Sequence, residues 1–401
     1  MSADILTLNA GSSSLKFSLF RDRADAGLDL VLSGGVERIG DRPAIKAKRA
    51  DGLPIDTADL PPQASSGDDG ALRQVLDLIG RAAPGVTIEV IGHRVVHGGI
   101  AFETPVIVEQ QVLDALAQLE PFAPLHQPHN LTGIRSAGEA FPGALQVACF
   151  DTSFHRNHPW VNDVFALPME YYDKGVRRYG FHGLSYEYIS GYLKETAPLL
   201  HAGRVVVAHL GNGSSMCAIL NGRSVGSTMG FSALDGLPMG TRSGQLDPGV
   251  LLYLMQEGMG HHEISDLLYT RSGLLGLSGL SNDMRTLEAS GDARAARAID
   301  YYVFRVRREL GALAAVLGGL DAVVFTGGIG EHSARVRRSV CEGLGWLGIE
   351  IDAHENDQHA RVISTDLSRV RVLVIPTNEE LVIARAASAL ARARPTKDTG
   401  R

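Results

Sequence analysis

Two stretches of this chain share one pattern at an offset of 200 residues. Ile5–Phe20 reads ILTLNAGSSSLKFSLF and Val205–Leu220 reads VVVAHLGNGSSMCAIL, so Gly11 meets Gly211, Ser14 meets Ser214 and Leu19 meets Ile219. Each is an apolar run, a Gly/Ser turn and a second apolar run, which is the signature of a hairpin. Glycines let the main chain take conformations closed to other residues and let a ligand approach it closely. A tight turn of this kind aims several N–H groups at one spot and makes an anion site. One such hairpin would be weak evidence; two predict a duplicated fold with a phosphate chain held between its halves.

A chain of 401 residues accommodates two domains, each with its own core. Its net charge of −7 disfavours a partner such as nucleic acid or an acidic membrane. No run approaches the 18 apolar residues of a membrane span, and MSADILTLNAG does not read as a signal peptide. Cys149, Cys217 and Cys341 are widely spaced without CxxC, as expected of reduced, buried thiols in a cytoplasmic protein.

Strand-like and helix-like segments then alternate, which predicts an α/β fold. Further strands are expected within residues 21–60, a surface loop at Pro61–Asp69 and a helix at Ala71–Arg81. A strand at Glu89–Val96 leads into His97-Gly98-Gly99, helices are expected at Gln111–Leu119 and Asn130–Ala140, and a strand at Leu145–Phe150 ends on Asp151. The domain crossing is placed there. Helices at Leu184–Thr196 and Ala293–Leu317 flank the second hairpin and a Gly-punctuated loop, Gly226–Gly249, too long for an idle connector. Asp247-Pro248 opens a helix as cap and first residue. Strands at Asp321–Thr326 and Val370–Ile375 run into GGIG and PTNEE, a helix starts near Glu331, and a last one ends near Arg394 before a frayed tail. The expected domains are 1–151 with 382–401, and 152–381.

The GGIG turn at Gly327 is neither G-x-G-x-x-G nor a P-loop, although a nucleotide could lie along it. Lys16 is the nearest counterpart of a phosphate-seeking lysine. Arg94, Asp151, His182 and Arg242 sit in contexts that read as buried or tightly turned, where a charge needs a partner or a function. Asp151 also ends a strand, where α/β ligands bind. The 14 histidines include close pairs (His93/His97, His126/His129, His155/His158), but no HExxH or cysteine accompanies them, so zinc is not expected. Carboxylates and amides suit magnesium, which shares the phosphates of a nucleotide.

Nine segments in order carry a resemblance: NAGSSSLKF from Asn9, GHRVVHGG from Gly92, CFDTSFH from Cys149, RRYGFHG from Arg177, HLGNGSS from His209, GTRSG from Gly240, LGLSGLSNDMR from Leu275, FTGGIGEH from Phe325 and PTNEEL from Pro376. From residue 5 to about 390 the chain resembles the acetate kinase family, in the superfamily of sugar kinases, actin and heat-shock chaperones. The resemblance implies two duplicated actin-like (ribonuclease H-like) domains with mixed sheets flanked by helices and an active site in the cleft between them. It implies a homodimer that interconverts ATP plus acetate with ADP plus acetyl phosphate using Mg2+, with Mn2+ able to substitute. Asn9 and Glu379 would hold the metal. Ser12, Lys16, His209, Leu210, Gly211, Asn212, Gly213, Asp283, Met284, Arg285, Gly328, Ile329, Gly330, Glu331 and His332 would line the nucleotide. Arg94 would bind the acetate carboxylate, with Val96, Leu125 and Phe181 around its methyl group. His182 and Arg242 would stabilise the transition state, and Asp151 occupies the acid/base position.

Three departures accompany it: His332 where the family has Asn, Gln245 where it has Asp, and Ala233 where it has Pro in the methyl pocket. The last allows for propionate or another short-chain acid, since one methylene is worth only about 1–3 kcal/mol. An alternative from another class is a nucleotide-gated chaperone or filament module, in which a carboxylate-binding arginine has no task.

Overall fold

The computed structural model describes residues 3–11, 14–23, 27–39, 43–57 and 68–394. Ser12, most of the loop expected at Pro61–Asp69 and the tail beyond Arg394 lie outside them. The chain forms two units, residues 1–153 with 378–401 and residues 154–377.

In the first unit, strands β1 (Ala3–Ala10), β2 (Ser14–Asp22), β3 (Leu28–Glu37), β4 (Ala44–Arg49), β5 (Ile88–Val95), β6 (Val106–Ile107) and β7 (Leu145–Phe150) form one sheet in the order β4-β3-β2-β1-β5-β7-β6. The strands from β4 to β1 are antiparallel, and β1, β5 and β7 are parallel. Side chains alternate across a strand. Leu6, Leu8 and Ala10 thus join Leu72, Val75 and Ile79 of helix Asp68–Ala82 in one core. Helix Glu379–Ala393 covers the other face, where Gly92 makes room for it: a Cβ there would lie 2.4 Å from Ile383.

The second unit repeats the arrangement with β8 (Arg204–Leu210), β9 (Ser214–Leu220), β10 (Arg223–Ser227), β11 (Ala322–Thr326) and β12 (Arg371–Val374) in the order β10-β9-β8-β11-β12. Three antiparallel strands are again followed by two parallel crossovers, so β10-β9-β8-β11-β12 matches β3-β2-β1-β5-β7 strand for strand. Val206, Ala208 and Leu210 pack on helix Ala293–Val316, while Val205 and Val207 pack on helix Gly183–Thr196. Burial on both faces is why VVVA is a continuous apolar run rather than an alternating one.

The duplicated hairpins are not superposable in register. Ala10 pairs with Leu15 in the first, whereas Leu210 pairs with Ser214 in the second, which shortens the second turn by one residue. Ser214 makes the shorter turn tight: its Oγ donates to Gly211 O at 2.9 Å and lies 2.9 Å from the Tyr302 hydroxyl of the long helix. The helix near Glu331 begins earlier than expected, at Gly327, and breaks at Ser333, which caps the next one through Val336 N.

Candidate active site

In the first unit the parallel strands bring three polar side chains to their carboxyl ends. Leu8 pairs with His93 and Arg94 pairs with Cys149, so Asn9 follows beside Arg94, and Asp151 stands two residues past Cys149 on the same face. The Arg94 guanidinium donates from Nε to both Asp151 oxygens at 3.1 and 3.2 Å and from one terminal nitrogen to Oδ2 at 2.5 Å. Its other terminal nitrogen donates to Asn9 Oδ1 at 3.0 Å. Asp151 is 1 % exposed, and the Arg94 side chain 18 %. A guanidinium has five N–H donors, and these contacts engage three of them, so two remain for a bound anion.

The chain returns to this unit at Asn378, which caps the last helix by accepting from Leu381 N at 3.0 Å and places Glu379 and Glu380 beside the arginine. Burial works against the Arg94 charge, but Asp151, Glu379 and Glu380 outweigh it and raise its pKa. Burial pushes the Glu379 carboxyl well above the usual carboxylate range; Arg94 opposes this, Asp151 and Glu380 add to it, and Lys16 opposes it more weakly.

Among the described residues no group of three or more His, Cys, Asp or Glu side chains is arranged to hold a metal. A hard cation that shares a nucleotide's phosphates needs only one or two protein oxygens. The Asn9 amide oxygen has a second lone pair, and the Glu379 carboxylate stands among like charges that a divalent cation would offset, so this donor set fits such an ion.

In the second unit His182 ends the tight turn before helix Gly183–Thr196 in the left-handed conformation, with φ 56°. Its Nδ1 lies 2.8 Å from Ser215 Oγ, which also bonds the Tyr186 hydroxyl. Its ring stacks on that of His209 at 4.3 Å between centroids, and His209 Nδ1 meets Ser185 Oγ at 2.9 Å. The hairpin turn reaches the same place, since a Cβ on Gly213 would sit 3.2 Å from His182 Nε2.

Asn212 is held over Gly240: its carbonyl accepts from Gly240 N at 3.0 Å, and a Cβ on Gly240 would lie 2.1 Å from its side-chain oxygen. The turn beginning at Gly327 approaches from the other side. Gly327 takes φ 76°, and a Cβ there would be 2.8 Å from Leu210 O, whereas a Cβ on Gly328 would meet nothing within 4 Å. Gly211, Gly240 and Gly327 thus let the second hairpin, the Gly-punctuated loop and the β11 turn converge closely. Arg242 is half-buried and tied to that loop by a 3.3 Å bond to Ala233 O.

Other expected positions are placed less directly. The Leu210 and Met284 side chains are part of the core, so only their backbone is available to a ligand. Glu331 Oε1 accepts from Gly327 N at 2.9 Å and Thr377 N at 3.3 Å, a structural use of the carboxylate. Asp283 caps a short helix and pairs with Arg285 at 2.6 Å on the surface. Ile329 and Gly330 lie in the first turn after β11, and His332 is exposed. Lys16 is exposed, Val96 and Phe181 are buried, and Leu125 is 37 % exposed. Gln245, the departure from the family's Asp, accepts from Arg305 at 2.7 Å and Arg308 at 3.1 Å, joining its loop to the long helix.

Sequence reasoning missed the partners Ser185, Tyr186 and Ser215. It also missed Asn130, which spans from Ala10 O at 2.8 Å to Val96 N at 2.9 Å. Ser215 alone carried a signal, as the second serine of the GNGSS turn.

Comparison with known proteins gives a consistent result. The acetokinase family matches residues 4–385. The acetate kinase of Methylocella silvestris is 57 % identical over 402 residues, covering 97 % of this chain and 98 % of that one. That of Nitrobacter hamburgensis is 51 % identical over 389 residues, covering 95 % and 94 %. Among solved structures, a propionate kinase from Francisella tularensis superposes with TM-score 0.88 at 35 % identity, covering 96 % of this chain and 99 % of that one. The Porphyromonas gingivalis acetate kinase does so at 0.83 and 38 %, covering 97 % and 100 %.

Proposed function

Because the chain belongs to the acetokinase family, we infer that it is a phosphotransferase with a carboxyl acceptor, interconverting ATP plus acetate with ADP plus acetyl phosphate. The observation that carries this reading is the Asn9–Arg94–Asp151 group, a guanidinium fixed at the ends of three parallel strands with two donors to spare. A chaperone or filament module has no task for it.

The chemical problem is repulsion. An acetate oxygen about 3.3 Å from an anionic phosphoryl group costs roughly 5 kcal/mol per unit pair at an effective dielectric near 20. Acetate is already ionised at neutral pH, so a general base has no proton to take. Arg94 therefore offsets the charge of the nucleophile, and Asp151 with Asn9 sets the direction in which its free donors point. Arg242 and His182 act on the oxygens of the transferring group, and the hairpin and Gly327 turns supply uncharged N–H donors for the phosphates. Asn9 and Glu379 would hold a divalent cation, Mg2+ in this proposal, whose chemistry when bound is to offset phosphate charge. Transfer is then direct and in line, with no phosphoenzyme. Homodimerisation and a cytoplasmic location complete the proposal.

Trapping the product with hydroxylamine tests it. ATP-dependent hydroxamate is expected with acetate, with propionate and butyrate as the weaker substrates. Hydrolysis of ATP without hydroxamate from any of the three would sink the reading.

A further inference from the structure

The buried cluster His155, His158, Cys217 and Ser224 is not used in the reaction outlined above. His155 is 0 % exposed, and its Nε2 lies 3.0 Å from the carbonyl oxygen of Phe181. A carbonyl only accepts, so His155 carries its proton on Nε2. The bare Nδ1 must then accept from Ser224 Oγ, 2.8 Å away. With its single proton spent, Ser224 Oγ accepts from His158 Nε2 at 2.6 Å and from the Cys217 thiol at 3.1 Å. One carbonyl thus fixes the polarity of both histidine bonds to Ser224, while the Cys217 thiol also has Ala218 O as an acceptor at 3.6 Å. The 4.0 Å Cys217–His155 contact is too long to compete.

The carbonyl at the end of this relay belongs to the peptide that enters His182. Gly180 has φ 74° and His182 φ 56°, so the turn Gly180-Phe181-His182 is held in a conformation that a histidine rarely adopts. The turn is wrapped on the His155 ring, since a Cβ on Gly180 would lie 2.6 Å from it. The peptide is planar, so fixing the Phe181 oxygen fixes the amide of His182. A second route runs through Tyr186, whose ring meets that of His155 edge-on at 5.5 Å and whose hydroxyl holds Ser215, the partner of His182 Nδ1.

From this geometry we propose that His155 is a positioning residue for phosphoryl transfer, aiming His182 through the Phe181 carbonyl and the Tyr186–Ser215 pair. The inference rests on the role given to His182 above. Burial, opposed by the bond to Phe181 and reinforced by Arg156, lowers the His155 pKa to about 4, which keeps it in the neutral form the relay needs.

The test compares His155→Leu, which keeps bulk and removes the donor, with His155→Gln, which carries one donor and one acceptor at similar reach. His155→Leu should lower kcat about 30- to 100-fold, the scale of a misplaced catalytic group. KM for ATP and for acetate should stay within about 2-fold, and His155→Gln should recover kcat to within about 5-fold of wild type. An NMR titration of the His182 imidazole should shift in the leucine variant and return in the glutamine variant. A folded leucine variant with wild-type kcat, or equal losses in both variants with an unmoved His182 titration, would overturn the proposal. If the leucine variant does not fold, Ser224→Ala decides: it removes the donor to Nδ1, so kcat should fall several-fold with a shifted His182 titration, and no change in either would overturn the inference. Were the wild-type protein to make no acyl phosphate, the functional reading would fall, while the His182 titration would still report on positioning.

Discussion

Replacing Asp151 by Asn separates an orienting carboxylate from a catalytic base. Asn has the same shape, but one of its two terminal atoms becomes an NH2 group that faces the Arg94 donors instead of accepting from them. The wild-type pair has contacts at 2.5, 3.1 and 3.2 Å and a carboxylate 1 % exposed. A hydrogen bond to a charged group contributes about 1.5–3 kcal/mol. Losing about 2 kcal/mol lowers kcat/KM for acetate roughly 30-fold, at 1.36 kcal/mol per factor of ten. The effect should appear mainly as a raised KM for acetate, because the misdirected group is the one proposed to bind it. KM for ATP should stay within about 2-fold, and the pH profile of kcat should keep its shape. Apparent metal affinity should change little, since losing the Asp151 charge eases ionisation of Glu379 but also weakens the attraction for a cation. The assay is hydroxamate formation at saturating ATP with acetate and pH varied. A base would behave differently, losing about 100- to 10,000-fold in kcat together with one limb of the pH profile. A loss confined to kcat with acetate KM untouched would refute the orienting role, and wild-type activity would refute both.

Three further outcomes are expected. Arg242→Ala should lower kcat about 100-fold or more while KM for ATP moves only a few-fold, and equal effects on both would make Arg242 a ground-state binder. Gly240→Ala puts a Cβ within 2.1 Å of Asn212 Oδ1, so it should push the hairpin tip aside and raise KM for ATP several-fold with little change in kcat; unchanged KM would mean the tip does not meet the nucleotide. Burial lowers the His93 and His155 pKa values from 6.5 to about 4, offset in part by Gln146 and Phe181 respectively, and lowers that of His158 to about 2 with help from His155 and Arg156. The unfolded chain therefore takes up protons first as pH falls, and stability is lost from about pH 6.5 downward, by on the order of 3 kcal/mol for each of His93 and His155 once pH nears 4. Urea titrations at pH 7.5 and 5 check this, and equal stability at both would contradict it.

The duplication was legible because strand–turn–strand is a local pattern, and both copies carry it within a few residues of Gly11 and Gly211. Their register was not, because one residue of turn length depends on whether a serine side chain or a main-chain carbonyl closes the turn: Ser214 Oγ in one, Ser14 O in the other. Arg94 stood out as a charge interrupting an apolar strand, and Asp151 as one ending a strand. Their pairing with one another and with Asn9 is a matter of strand order, which joins positions 57 and 85 residues apart. The resemblance named Met284 as a nucleotide contact, yet the first turn of its helix aims the side chain into the core. Tyr186 was unreadable, and the role of Ser215 as its partner equally so, for a similar reason. A serine in a strand and a tyrosine in a helix acquire meaning only when β9 and helix Gly183–Thr196 pack together.

In the proposed reaction, positive groups of the protein facing both reactants let one anion take a phosphoryl group directly from another. The stereochemical course at phosphorus tests it most directly, using ATP made chiral at the γ-phosphorus with oxygen isotopes and recovering the acetyl phosphate. A single in-line displacement predicts inversion of configuration. Retention would mean two displacements through a phosphorylated residue of the protein, and would rule out direct transfer.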